Sequence, residues 1–395
     1  MTPLKIILFS NSFLPQVGGR EIVVYHLAKA LTGLGHNVRV ISPGGFRSER
    51  HRRYPFTVQR LPSVPGVSPI TSARWILKAT IARYGCDVIN AHTTYTAGYI
   101  ALQLKRKSGL PLVITPHGED IHVIPEIGHG LRLDPQIEPC IREVLQAAER
   151  STAISDSVVA SLKDAGCAPE RIREIPNGVD FTRFDGHNTL DVRSRYGIAP
   201  DKRIVLTVGN YVRRRGHEEL VRGWRAIVEA NPQAHLVIVG RRTEVLQPII
   251  DEAGIADSVT LTGGVPPVEL NPGGEDVVAA FYREAEVYVA PGMSEGSEGL
   301  SLALLDAMAA GTAIVATAIS GNRDVIVDGA NGLMVRPGEP SAIAEGVNRM
   351  LSDEALRTAC RTQALTDVQP YSWETIAQQY VDTYREAMAA ARQAA

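Results

Sequence analysis

The sequence lacks any apolar run approaching the roughly 20 residues that a membrane-spanning helix needs. It has only four cysteines, Cys86, Cys140, Cys167 and Cys360, far apart and without a C-x-x-C pair. That argues against a zinc site or a disulfide framework and predicts reduced, mostly buried thiols. Its charge is nearly balanced, with a formal net of -2, which excludes the overall basicity of a nucleic-acid binder. A long apolar run near the start is lacking too: Met1–Lys5 leads into the short run Ile6–Phe9, where a secretory h-region would be longer, so the segment reads as a buried strand and a cytoplasmic protein is expected. Disorder is excluded by the 44% hydrophobic content.

What is present is length and pattern. The 395 residues suggest two domains at roughly 100–200 residues each. Apolar, β-branched runs such as Val38–Ile41, Val88–Ile89, Leu112–Ile114, Ile204–Val208, Leu236–Val239, Val287–Ala290 and Ala313–Ala316 alternate with helical patterns. This is α/β patterning, and the economical reading is two doubly wound parallel-sheet domains in tandem. Residues 180–202 are polar and lack strand patterning, so the boundary is expected near 185, giving domains 1–185 and 186–370. The tail after Tyr371 reads as one long amphipathic helix. Asn271–Asp276 reads as a flexible insertion. The balance of charge hides an asymmetry: residues 1–185 hold 22 Lys+Arg against 16 Asp+Glu, whereas 186–395 hold 19 against 27. A basic half of this kind suggests a domain that meets something anionic.

Three stretches carry chemistry. Pro15-Gln16-Val17-Gly18-Gly19-Arg20-Glu21 lies between the first strand and the first helix, where open α/β sheets bind ligands. It is not G-x-G-x-x-G, so the dinucleotide fingerprint is absent. Gly18 and Gly19 allow close backbone approach and the helix start offers N–H groups to an anion, although a tight turn explains the glycines equally well. Glu298 to Gly311 is a Gly/Ser turn running into an apolar helix. Here Glu298 marks the helix mouth, the N–H groups near Leu300 and Ser301 form an anion site, and Asp306, about two turns in, suits ribose hydroxyls. A capped core helix is the plainer alternative. Gly209 to His217 follows a strand and contains Arg213, Arg214 and Arg215, which can neutralise a diphosphate or form a solvated charge run. His92, at a strand end, either lines a ligand site or is structural.

Taken in order, Gly18-Gly19-Arg20-Glu21, Thr115-Pro116-His117-Gly118, Pro176-Asn177-Gly178-Val179-Asp180 and Glu298…Asp306 resemble the retaining, nucleotide-sugar-dependent glycosyltransferases of family four. The resemblance covers nearly the whole chain and implies the GT-B fold, two Rossmann-like domains facing across a cleft, with the final helix, 371–395, returning to complete the N-terminal, acceptor-binding domain. It implies a donor nucleotide sugar, most simply a UDP-sugar, and a sugar or lipid-linked acceptor in cell-surface polysaccharide or glycolipid synthesis. It also implies residue roles. His117 would bond the donor sugar, Glu298 would hold its hydroxyls, and Arg215 would neutralise the diphosphate. Gly18 and Gly19 would meet the distal phosphate, with Arg213 and Arg214 assisting. Amides of Gly299, Leu300 and Ser301 would meet sugar and phosphate, and Asp306 the ribose. Arg241 and Gly264 would frame the base. His92 and Glu119 fall on the acceptor side. Two positions depart from the family pattern: Asn210 stands where arginine is frequent, and Asp306 stands where glutamate is usual.

No D-x-D occurs, so a metal clamp is not expected, and no cofactor is implied. The basic clusters Arg47–Arg53 and Lys105–Lys107 suggest contact with an anionic membrane at its inner face, or else a solvated loop. A GT-B epimerase and a non-catalytic nucleotide-sugar binder are the competing readings.

Overall fold

The computed structural model describes residues 2–44, 54–62, 66–125, 128–186, 188–270, 274–294 and 299–394. Two compact units emerge: Met1–Gly178 with Trp373–Ala395, and Val179–Ser372.

In the first unit, strands β1 (Lys5–Ser10), β2 (Asn37–Pro43), β3 (Thr57–Leu61), β4 (Val88–His92), β5 (Leu112–Ile114), β6 (Arg150–Ala153) and β7 (Ile172–Glu174) form one parallel sheet. Its order is β3-β2-β1-β4-β5-β6-β7. The helices α1 (Gly19–Gly33), α2 (Pro69–Tyr84), α3 (Tyr99–Ser108), α4 (Glu138–Ala147) and α5 (Asp156–Asp164) are the crossovers. Parallel strands are covered on both faces, which is why their sequences run apolar without alternation. Ile7, Phe9, Ile89, Leu112 and Ile114 pack with Leu77, Leu102, Val144 and Leu145 on one side.

The second unit opens with α6 (Val192–Tyr196). Its parallel sheet has β8 (Arg203–Val208), β9 (Ala234–Val239), β10 (Val259–Gly263), β11 (Ala285–Ala290), β12 (Ala313–Thr317) and β13 (Leu333–Val335), in the order β10-β9-β8-β11-β12-β13. Its helices are α7 (His217–Ala230), α8 (Gln247–Glu252), α9 (Val277–Glu284), α10 (Leu302–Ala309), α11 (Ser320–Arg323), α12 (Pro340–Ser352) and α13 (Glu354–Asp367). Both orders reverse direction once, between β1 and β4 and between β8 and β11. In doubly wound sheets such reversals are where ligands bind, outside the carboxyl ends of the strands.

The last helix, α14 (Trp373–Ala394), belongs to the first unit. Its amphipathic face buries Ile376, Tyr380, Val381 and Tyr384. The Tyr384 hydroxyl donates to Asn90 Oδ1 at 2.8 Å, Asn90 Nδ2 donates to Thr115 Oγ1 at 2.9 Å, and Thr152 Oγ1 donates to Thr115 Oγ1 at 2.8 Å. A buried network of this kind is favourable only when satisfied, so it fixes the helix in one register under β4, β5 and β6. At the start of α14 the Trp373 indole stacks on His26, with centroids 5.5 Å apart and planes 6° from parallel. Gly178 also lies against it, where a Cβ would be 2.6 Å from the indole. No helix among the described residues is long and apolar enough to cross a membrane.

Candidate functional site

In the first unit, the reversal between β1 and β4 gathers polar side chains that are rare in a sheet interior. Ser10 and His92 are register partners at the two strand ends, so their side chains share a face. The loop after β5 then brings His117 to His92, with His92 Nδ1 and His117 Nε2 3.1 Å apart and the rings 5.4 Å apart at 25°. One nitrogen of this contact donates and the other accepts. Burial, and then the Arg20 charge, push the His92 ring down to about 3. His117 is held well below the usual histidine range, by burial first and then by His92 and Arg20. Both rings are therefore neutral near pH 7. His92 Nε2, Ser10 Oγ and Thr93 Oγ1 are buried without a hydrogen-bond partner among the described residues. Buried polar atoms are nearly always satisfied, so these three suit a water or a ligand hydroxyl.

The backbone that carries His117 is pinned by a residue the sequence reading passed over. Asp120 accepts from His117 N at 2.9 Å and from Thr94 N at 2.7 Å, while its carbonyl accepts from Thr94 Oγ1 at 2.8 Å. Burial raises its carboxyl above the usual range against the pull of those N–H bonds. Its signal was local, a carboxylate three residues after His117 in the geometry of a cap. Glu119 beside it is exposed, and its carbonyl accepts from Leu131 N at 3.0 Å.

Gly19 is the first residue of α1, with open space where its Cβ would be. At Gly18 a Cβ would lie 2.6 Å from Glu21 Oε2. Glu21 is buried and takes hydrogen bonds from Ser12 and Arg20, which ties the Gly18–Gly19 turn to the loop after β1.

In the second unit, the reversal between β8 and β11 brings two loops together. Met293 N donates to Arg214 O at 3.0 Å, and Gly216 lies against the Pro291 carbonyl. Arg215 folds back over the β8 end, where a Cβ on Gly209 would be 2.5 Å from its Nη1. Arg213 turns elsewhere: it is half-exposed and pairs with Glu219 at 2.8 Å and with Glu218 at 3.5 Å. Its charge is thus already matched at the start of α7. Asn210 Oδ1 accepts from Arg241 N at 2.9 Å and Nε at 3.4 Å, and the Arg241 stem lies over Gly264. Asn210, Arg241 and Gly264 therefore form one group.

Glu298 lies outside the described residues. Gly299, Leu300 and Ser301 lead into α10 in non-helical conformation, and Ser301 is its N-cap without a side-chain bond. The helix begins at Leu302, so Asp306 sits about one turn in, not two. The glycine and the extended Ser301 delay helix initiation. Arg183, unrecognised in the sequence, donates to Asp306 Oδ2 at 2.7 Å. The cluster at 47–53 also lies outside the described residues, as do 271–273. Of the second basic group, Lys105 pairs with Glu149 and Arg106 with Glu143.

The neutral histidines make a pH prediction. His92 stands at about 3, and His217 and His235 at about 4, chiefly through burial. Each folded value lies below the unfolded one, so unfolding takes up protons once pH falls below about 6.5. Stability is full above that pH and declines as pH falls toward 5, by about 1.4 kcal/mol per histidine per pH unit. Urea unfolding at pH 7.5, 6.5 and 5.5 checks it; greater stability at pH 5.5 than at 7.5 would refute the assignment.

Residues 17–183 match the model for Glycosyltransferase Family 4, and residues 189–367 match that for Glycosyl transferases group 1. An uncharacterized glycosyltransferase of Methanocaldococcus jannaschii is 29% identical over 98% of this chain and 99% of its own. The D-inositol 3-phosphate glycosyltransferase of Acidothermus cellulolyticus is 29% identical over 78% of this chain and 69% of its own. Among solved structures, Anabaena HepE in complex with UDP aligns with a TM-score of 0.79 at 19% identity, covering 97% of this chain and 100% of its own. The same protein has also been solved in complex with UDP-glucose. At such identity the structural likeness shows the fold alone, which is GT-B.

Proposed function

This chain belongs to the group 1, family 4 glycosyltransferases, and on that premise we propose that it transfers a sugar from a UDP-sugar to a hydroxyl acceptor, with retention and without a metal. The observation that carries the reading is the joining of the β8–α7 and β11–α10 loops through Met293, Arg214, Gly216 and Pro291. It brings Arg215 and the loop that runs on to the Gly299–Ser301 amides to one end of the second sheet. The known complexes of HepE with UDP and UDP-glucose support the donor class.

The chemistry asked of this arrangement is charge stabilisation. As the bond from the anomeric carbon to the β-phosphate oxygen breaks, negative charge grows on the diphosphate. Arg215 and the amides at the mouth of α10 stabilise it without reorganising. Arg214 and the amide of Gly19 assist. The acceptor oxygen bonds to the anomeric carbon on the same face, and its proton passes to the departing phosphate oxygen. His117, neutral and held by Asp120, bonds a sugar hydroxyl beside the reacting carbon, and Glu298 holds the others. Asn210, Arg241 and Gly264 frame the base, and Asp306 takes the ribose. The first unit binds the acceptor, a sugar or a lipid-linked sugar of cell-surface polysaccharide synthesis, with His92 and Glu119 on that side.

A donor panel tests the reading. Nucleoside diphosphate release and product anomer are measured for UDP-, GDP- and ADP-sugars, with and without EDTA. UDP-sugars should be turned over, with retention, and EDTA should leave the rate unchanged. Loss of turnover with EDTA and recovery with manganese would refute the metal-free diphosphate site. Asp306→Ala should raise donor KM about tenfold with little change in kcat. A ribose contact is present in ground and transition states alike and is worth about 1.5 kcal/mol. A fall in kcat at constant KM would move Asp306 away from the ribose.

A further inference from the structure

Two carboxylates bond a single guanidinium in the second unit, and a third acts on its charge. Arg183 Nε donates to Asp276 Oδ2 at 2.7 Å and Nη2 to Asp276 Oδ1 at 3.3 Å, while Nη1 donates to Asp306 Oδ2 at 2.7 Å. The three side chains are 16%, 11% and 15% exposed in the order Arg183, Asp276, Asp306. Glu269, also buried, acts on the charge of both Arg183 and Asp306. Asp276 is itself anchored, since its Oδ1 accepts from Ala279 N at 2.9 Å and caps α9. Behind the guanidinium, Phe184 lies 5.3 Å from Arg183 Cζ and meets Tyr282 edge-on at 6.0 Å. The Tyr282 hydroxyl donates to Ala303 O at 2.7 Å, within α10, the helix that carries Asp306. Asp306 Oδ2 is taken by Arg183, and Asp306 Oδ1 makes no hydrogen bond among the described residues.

We propose that Arg183 is the positioning residue of the ribose-binding carboxylate: by occupying Oδ2 it leaves Oδ1 alone to receive one ribose hydroxyl. The inference rests on the reading of Asp306 as the ribose contact. A carboxylate with two open oxygens can take both vicinal hydroxyls. One with an oxygen committed to a fixed guanidinium takes one, and its direction is set by the partner. Remove the cation and Asp276 and Asp306 lose the charge they share, with Glu269 still acting on Asp306. They cannot all stay ionised at close range, so one takes a proton or turns toward water, and the receptor geometry is lost.

The test is calorimetric binding of UDP, 2′-deoxy-UDP and 3′-deoxy-UDP to the wild type, Arg183→Gln and Arg183→Lys, with thermal unfolding of each. The wild type should lose about tenfold in affinity with one deoxy nucleotide and less than threefold with the other. Arg183→Gln should bind all three within about twofold of one another. Arg183→Lys, which keeps the charge but reaches one carboxylate, should fall between. The affinity ratio is the readout because a merely structural loss would weaken all three nucleotides together. If Arg183→Gln is too unstable to measure, an unchanged ratio in Arg183→Lys overturns the proposal and a reduced one supports it. Equal tenfold losses for both deoxy nucleotides in the wild type would overturn the single-oxygen receptor. If the wild type binds UDP and discriminates while Arg183→Gln discriminates equally, only this inference falls. Absence of UDP binding to the wild type would remove the proposed function as well.

Discussion

Alanine in place of His117 is expected to lower kcat by about two to three orders of magnitude while the protein stays folded. Loss of one positioned donor that acts in the transition state costs roughly 2.7–4 kcal/mol. The backbone at 117 is held by Asp120 through the His117 N–H, which alanine retains. What the variant loses is the imidazole and its 3.1 Å contact with His92. His92 is then left buried with a second unpartnered nitrogen, at a stability cost of about 1–3 kcal/mol. Steady-state kinetics with the best donor, beside thermal unfolding, separates the two effects. His117→Gln should recover part of the rate, because its amide can reach the same partners. A kcat within threefold of wild type for the alanine variant would make His117 a packing residue.

The second large effect is expected at Gly216. Its φ is +72°, where an L side chain is strained, and a Cβ there would overlap the Pro291 carbonyl oxygen and lie 2.7 Å from its carbon. Both obstacles are backbone, so neither can rotate away. Alanine must push apart the loops that Met293 N and Arg214 O hold together at 3.0 Å. A destabilisation of about 3 kcal/mol follows from strain and overlap together, lowering Tm by about 6–12 °C for a unit of this size. Donor affinity should fall by at least tenfold, since Arg215 precedes the displaced residue. Differential scanning calorimetry and UDP titration check both. A Tm within 2 °C of wild type and unchanged UDP binding would refute the packing argument.

The doubly wound α/β class was legible because buried parallel strands must be apolar on both faces, and Ile204–Val208 or Leu236–Val239 have few other uses. Short edge strands were not. Thr57–Leu61 carries Gln59 and Arg60, while Ile172–Glu174 and Leu333–Val335 are three residues long. Each owes its conformation to a neighbouring strand already in place, which no local pattern records. The same division runs through the site. Asp120 lies three residues from the amide it caps and could have been read as a cap. Arg183 could not, since its partners are 93 and 123 residues away. Arg213 illustrates the opposite failure: within a run of three arginines nothing local shows that Glu218 and Glu219 claim the first. Spacing shows which groups can meet; competition among partners is settled by tertiary structure.

The indole between His26 and Gly178 has an optical consequence. The chain has three tryptophans. Trp75 on α2 is 57% exposed, Trp224 on α7 is fully buried with its Nε1 bonded to Ser258 Oγ at 3.0 Å, and Trp373 is 7% exposed at the head of α14. Acrylamide should therefore extinguish Trp75 emission and spare the other two. With Trp75 changed to phenylalanine, the remaining light comes from one emitter in each unit. Trp224 then reports the melting of the second unit and Trp373 the detachment of the terminal helix from the first. A single chain so labelled by its own sequence would show in one fluorescence titration whether the two units unfold together or in turn.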